Sequence, residues 1–131
     1  HLTDLFASTR AEEKLFLFFI HSIKFAMDNL AETRFFFRYS LFPPAELKDE
    51  ISLFLREARH KKEVFISGCL KECIEQGLIK RDLEEASKIY NKFINSNAFE
   101  VVFSYWMPTD EELKNLWDIF FNYHLNGKLA F

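Results

Sequence analysis

The sequence predicts an all-α fold of five to six helices, and three observations carry that reading. Three glycines and three prolines in 131 residues are too few for the tight turns of a β fold. Apolar residues recur at three- and four-residue spacing along nearly the whole chain. A capping residue followed three positions later by Glu, the signature of a helix start, stands at Thr9–Glu12, Asp82–Glu85 and Thr109–Glu112. The length suits one domain built on one core.

From Thr9 the first helix carries Leu15, Phe19, Ile23 and Met27, and Phe16, Phe18 and Ile20 widen its apolar arc past one stripe. Such a helix packs on more than one side. Asp28 to Thr33 reads as a bend, and the stretch RFFFRYSLFPP (34–44) follows as a short helix. Consecutive helical positions lie about 100° apart, so Phe35, Phe36 and Phe37 must point in different directions. Pro43 disfavours helical geometry at Phe42 and ends this helix, while Pro44 suits the first turn of the next. From Ala45, the residues Leu47, Ile51, Leu55 and Ala58 keep helical spacing. The polar run RHKK (59–62) then separates them from Val64, Phe65, Cys69, Leu70, Cys73 and Ile74, which fits either two helices or one kinked helix.

Gly77 closes that section as a residue just past a helix end. Asp82 opens the next helix, with Ala86, Ile89, Tyr90, Phe93, Ile94, Asn97, Val101 and Tyr105 on one broad face, ending before Pro108. Thr109 opens the last helix, carrying Leu113, Leu116, Trp117, Phe120 and His124, and Gly127 ends it.

A net charge of −3 argues against a phosphate-tracking surface over the whole domain. The most basic run, REARHKKE (56–63), is interrupted by Glu57 and Glu63 and reads as a solvated helix end. Seventeen Phe, two Trp and four Tyr are many for one small core, so some are expected to meet a ligand or a second protein. The longest apolar run, LFLFFI, is far short of the ~20 residues of a membrane span, and no signal peptide is visible. Cys69 and Cys73, at i, i+4 on one helical face, read as two free thiols in a reducing cytoplasm.

Enzyme chemistry finds thin support. The pairs Glu12/Glu13, Glu84/Glu85 and Glu111/Glu112 each fall in a predicted first turn, where the helix dipole already favours negative charge. Glu57-x-x-His60 matches half of a di-iron motif, but Phe18 and Phe121 stand three residues before His21 and His124, so the second half is missing. No glycine-rich phosphate loop is present. No catalytic residue, metal or cofactor is therefore expected.

The short aromatic helix ending in RYSLFPPAEL, the segment CLKECIEQGLIKRDLEEA and the two final long helices follow one another in an order that resembles the C-terminal domain of TetR-family transcriptional regulators. The resemblance runs from about Thr9 to Gly127 and rests on layout more than on invariant residues. It implies an effector-sensing and dimerisation domain whose last two helices form a four-helix bundle with a second copy. It further implies a DNA-binding repressor in the intact protein, with the helix-turn-helix missing from this sequence, which is then an excised fragment. A small apolar or aromatic effector would lie among Phe19, Ile23, Met27, Phe36, Phe37, Tyr39, Phe65, Cys69, Phe93 and Asn97. The homodimer interface would use Phe99, Trp106, Leu113, Leu116, Trp117, Phe120, Phe121 and His124. The competing reading is a dimeric helical protein-interaction module without a small-molecule site.

Overall fold

A computed structural model describes residues 10–126, and within them the chain is all-α. Five α-helices follow in order: α1 (Ala11–Asp28), α2 (Leu30–Leu41), α3 (Lys48–Glu75), α4 (Leu83–Ser104) and α5 (Asp110–Ile119). A 3-10 turn at Ala45–Leu47 precedes α3, and a π-helical turn at Phe120–Leu125 continues α5. The helix starts expected from Asp82 and Thr109 are in place. Asp82 Oδ1 accepts from Glu85 N–H at 2.8 Å. Thr109 and Glu112 form the full reciprocal box. Thr9 and Gly127, read as the start of the first helix and the end of the last, lie outside the described residues.

The core lies among α1, the C-terminal half of α3, α4 and α5. Leu15, Phe19 and Ile23 of α1 meet Ile66, Leu70 and Cys73 of α3, Tyr90 and Val101 of α4, and Leu113 and Trp117 of α5. Its centre is aromatic: Phe93 stacks on Phe120 with centroids 3.8 Å apart, and Phe19 packs against Phe93 at 4.6 Å and Trp117 at 5.9 Å. Tyr90, the largest fully buried side chain, donates its hydroxyl to the Leu15 carbonyl at 2.6 Å. That bond ties α4 to α1 where both are dry, and burial raises the phenol pKa well above its ordinary value.

Three details differ from expectation, and one reading left open is decided. The bend after α1 is one residue, Asn29, because the following Leu-Ala-Glu are good helix formers and α2 restarts at Leu30. Both the Asn29 backbone N–H and its side-chain amide turn back to the Phe25 carbonyl. Of the two readings left open at RHKK, a single helix holds, since Arg and Lys favour helix and their polarity marks exposure instead. Pro44 precedes a 3-10 turn, and the α-helix proper waits until Lys48. Tyr105, expected on the inner face of α4, caps its end in the left-handed region (φ 55°) and is exposed.

Gly77 fulfils its expected role. At φ 76° it follows α3 in a Schellman arrangement, with Gly77 N–H bonded to Ile74 O and Leu78 N–H to Cys73 O. The π turn changes the end of the last helix. Asn126 N–H reaches Phe121 O, five residues back, so Leu125 rotates into the core and His124 faces out. The loop before α4 holds this turn, through Lys80 N–H to Leu125 O at 3.3 Å and through the Arg81 guanidinium to the His124 carbonyl.

Candidate functional site

The three consecutive phenylalanines of α2 go three ways. Phe37 packs on α4, edge-on to Phe99 at 5.8 Å and Phe103 at 6.1 Å. Phe36 faces a cleft between α2 and the bundle. Phe35 points to solvent, 58% exposed, against Tyr39 of its own helix at 4.0 Å. Arg34 fixes the helix beside them. Its guanidinium donates to the Val102 carbonyl from Nη2 (2.7 Å) and Nε (3.2 Å), and lies 5.9 Å and 5.6 Å from the ring centres of Phe103 and Tyr105. A cation at the carbonyl end of α4 also complements that helix's dipole.

The cleft that Phe36 faces has a volume of about 890 Å³ and is open to solvent. Rings of Phe18, Phe25, Phe36 and Phe37 and the side chain of Ile94 make its apolar walls. Polar groups enter at separate points: Lys62 from α3, Thr33 from α2, Asn95 from α4, and His21 and Ser22 from α1. The Lys62 ammonium lies 5.8 Å from the Phe18 ring centre, and burial, followed by the nearby Arg59 charge, lowers its pKa. The Thr33 hydroxyl is buried without a hydrogen-bond partner among the described residues.

The ten residues proposed to line one cavity are distributed over several places. Phe36 and Phe37 line the cleft. Phe19 and Ile23 are fully buried in close-packed core, Cys69 is buried beside them, and Met27 and Phe65 are half-buried against that core. Phe93 and Asn97 border a separate groove of about 700 Å³ between α4 and α5, and the Asn97 amide is bonded to Phe93 O at 2.7 Å. Tyr39 borders a third groove, about 610 Å³, with Phe42, Phe99 and Phe103. An arc of apolar residues wider than one stripe thus served tight packing at Phe19 and Ile23, not a void.

The residues proposed for a dimer interface also divide. Leu113, Trp117 and Phe120 are at most 5% exposed within the single chain, so their side chains have almost no surface to offer a partner. Leu116 and His124 border the α4–α5 groove, Phe99 is partly exposed on α4, and Trp106 is half-buried. Phe121 stacks on Trp117 at 5.5 Å on the α1 side. Two residues of the outer α4–α5 face were not among those proposed for the interface: Ile89, expected only on the apolar face of α4, and Ile119, which is 54% exposed. Ile119 follows Leu116 by three, and that spacing was the available signal. Lys62, Thr33 and Arg34 had no such signal, because each matters through a contact distant in sequence.

The thiols suit packing more than chemistry. Burial pushes Cys73 up to about 12, with Glu12 adding to the shift, and raises Cys69 as well, so both are protonated at neutral pH. Among the described residues no three His, Cys, Asp or Glu side chains are grouped to hold a metal ion. Among them, too, no helix is long and apolar enough to cross a membrane. The chain matches no protein-family model, no curated protein and no solved structure.

Proposed function

We propose that this chain is the effector-sensing and dimerising part of a TetR-like transcriptional regulator of the cytoplasm, acting on DNA through a helix-turn-helix outside this sequence. The observation that carries the reading is the open, ring-lined cleft beneath α2, separate from an apolar face on α4 and α5. The volume and apolar lining of the cleft suit one small apolar or aromatic effector. Ile89, Leu116 and Ile119 give the α4–α5 face an apolar strip, which two-fold packing would bury in a four-helix bundle. Effector binding would then bias the position of α2 by its differential affinity for two arrangements, and that shift would reach the DNA-binding heads of a repressor.

Sedimentation equilibrium tests the dimer half. The wild type should be dimeric at micromolar concentration and Ile119→Glu monomeric with unchanged helicity; a wild-type monomer at 100 µM, roughly an order of magnitude above a specific dimer's working range, would sink it. Thermal stabilisation by apolar and aryl compounds tests the sensing half. A second reading, a helical protein-interaction module, draws on Leu41, Phe42, Leu53 and Phe54, which are 53–82% exposed around the α2–α3 junction. Co-purification of one stoichiometric protein partner, with no response to small molecules, would favour it.

A further inference from the structure

The chemistry of the cleft walls narrows the effector class, and this step rests on the sensing role proposed above. Lys62 is the polar group that decides. Among the described residues no carboxylate lies within ion-pair distance of its ammonium, which instead sits over the Phe18 ring, partly withdrawn from water. Its pKa is lowered by burial first and then by Arg59, and the opposing pull of Glu63, which makes no ion-pair contact with it, does not offset them. The Thr33 hydroxyl is a second, independent polar group in the cleft, a buried donor with no acceptor among the described residues.

The other titratable side chains bordering the cleft are His21, Lys24, Asp28 and Glu32, and Arg59 and Glu63 flank Lys62 on α3. Lys24 is engaged by Asp110 at 3.0 Å. Asp28 and Glu32 are exposed at the α1–α2 corner, and ten residues of α1 separate Asp28 from Phe18, about 15 Å along the helix. Exposed carboxylates hold a cationic ligand weakly because water screens them, whereas a half-buried ammonium holds an anion through a charge-assisted hydrogen bond. The apolar stretch between these two ends is walled by Phe18, Phe25, Phe36 and Phe37.

We infer that the cleft takes an amphipathic anion, an apolar chain or aryl body bearing one carboxylate, with the carboxylate on Lys62 and the body against the rings of α1 and α2. Dodecanoate, dodecanol and dodecyltrimethylammonium, each below its micelle concentration, separate charge from tail. Calorimetric titration and thermal shift should show dodecanoate binding more tightly than either analogue. Lys62→Gln should weaken dodecanoate by about tenfold or more and leave dodecanol unchanged, Lys62→Arg should restore it, and Phe36→Ala should weaken all three. Equal or tighter binding of the alcohol or the ammonium, or a Lys62→Gln variant that still binds dodecanoate as the wild type does, overturns the anion assignment and leaves the sensing role standing. Failure of all three, and of a naphthoate and naphthol pair, overturns both.

Discussion

Removing the Arg34 head group should cost about 3 kcal/mol, most of it from one carbonyl. Val102 lies in the last turn of α4, where carbonyls lack helical partners. The N–H groups of Tyr105 and Trp106, the natural candidates, both turn back to Glu100 O. Arg34 therefore supplies the bonds to the Val102 carbonyl, and Val102 itself is fully buried. Leaving such an acceptor unpaired costs ~1–3 kcal/mol. The two ring contacts add about 0.5–1 kcal/mol each.

Arg34→Met keeps most of the apolar stem and so isolates the head group. In a domain of this size, ~3 kcal/mol corresponds to a fall in Tm of roughly 10 °C. Urea unfolding followed by far-UV circular dichroism measures the loss, and amide exchange in α2 shows whether it is local. Arg38→Met is the control, because Arg38 is exposed on the same helix and its side chain makes no hydrogen bond among the described residues; it should stay within about 0.5 kcal/mol. If Arg34→Met also stays within 0.5 kcal/mol and leaves α2 exchange unchanged, the role assigned to the Val102 carbonyl is wrong.

Tyr90→Phe should cost only ~1 kcal/mol by urea titration, because the Leu15 carbonyl stays within the hydrogen-bonded body of α1 after the hydroxyl is gone. Gly77→Ala should cost ~1–2 kcal/mol from its positive φ alone, since an added Cβ meets nothing within 4 Å; an unchanged midpoint would show that the turn relaxes. Alkaline pH should destabilise the fold through Cys73. The unfolded thiol ionises near pH 8.5 while the folded one holds its proton to about 12, so this stability is intact below 8.5 and lost progressively above it. One unit above the free-thiol value the loss is about 1.4 kcal/mol, and a Cys73→Ala stability profile should be flatter between pH 8.5 and 10.

Helix order was legible because capping and periodicity are local. Asp82 with Glu85 and Thr109 with Glu112 start helices through contacts three residues apart, and Gly77 ends one through its own dihedral. The candidate site was less legible because it depends on which of several apolar faces is already filled. Phe19 and Phe36 are both aromatic residues on wide apolar helices, yet Phe19 is closed in by Phe93 and Trp117 while Phe36 looks onto a cleft. Helical spacing reports that a residue faces something, not what lies there. The π turn adds a second cause. It breaks the 3.6-residue period after Ile119, so extrapolating the α5 stripe put His124 on one face with Trp117 and Phe120, whereas Leu125 is the residue buried there.

The uneven anchoring of the helices bears on how the cleft can signal. α2 contributes no buried side chain, while α1 and α4 each contribute several and α5 contributes Leu113 and Trp117. It hangs between the single hinge residue Asn29 and the Phe42-Pro43-Pro44 turn, and Phe37 and Arg34 hold it to α4. Undocking it therefore breaks the Arg34 bonds and the partly buried contacts of Leu30 and Phe37, which together cost less than the ~5–15 kcal/mol of global unfolding. Phe36 and Thr33, which face the cleft, belong to this weakly held helix. A ligand moves the docking equilibrium only by its preference for one arrangement, and a tenfold preference is worth ~1.4 kcal/mol. That is about half the cost assigned to the Arg34 contacts. Such a ligand would tune α2 in the wild type without releasing it, whereas in Arg34→Met, with only the apolar contacts of Leu30 and Phe37 left, the same ligand would shift a larger share of the docking equilibrium.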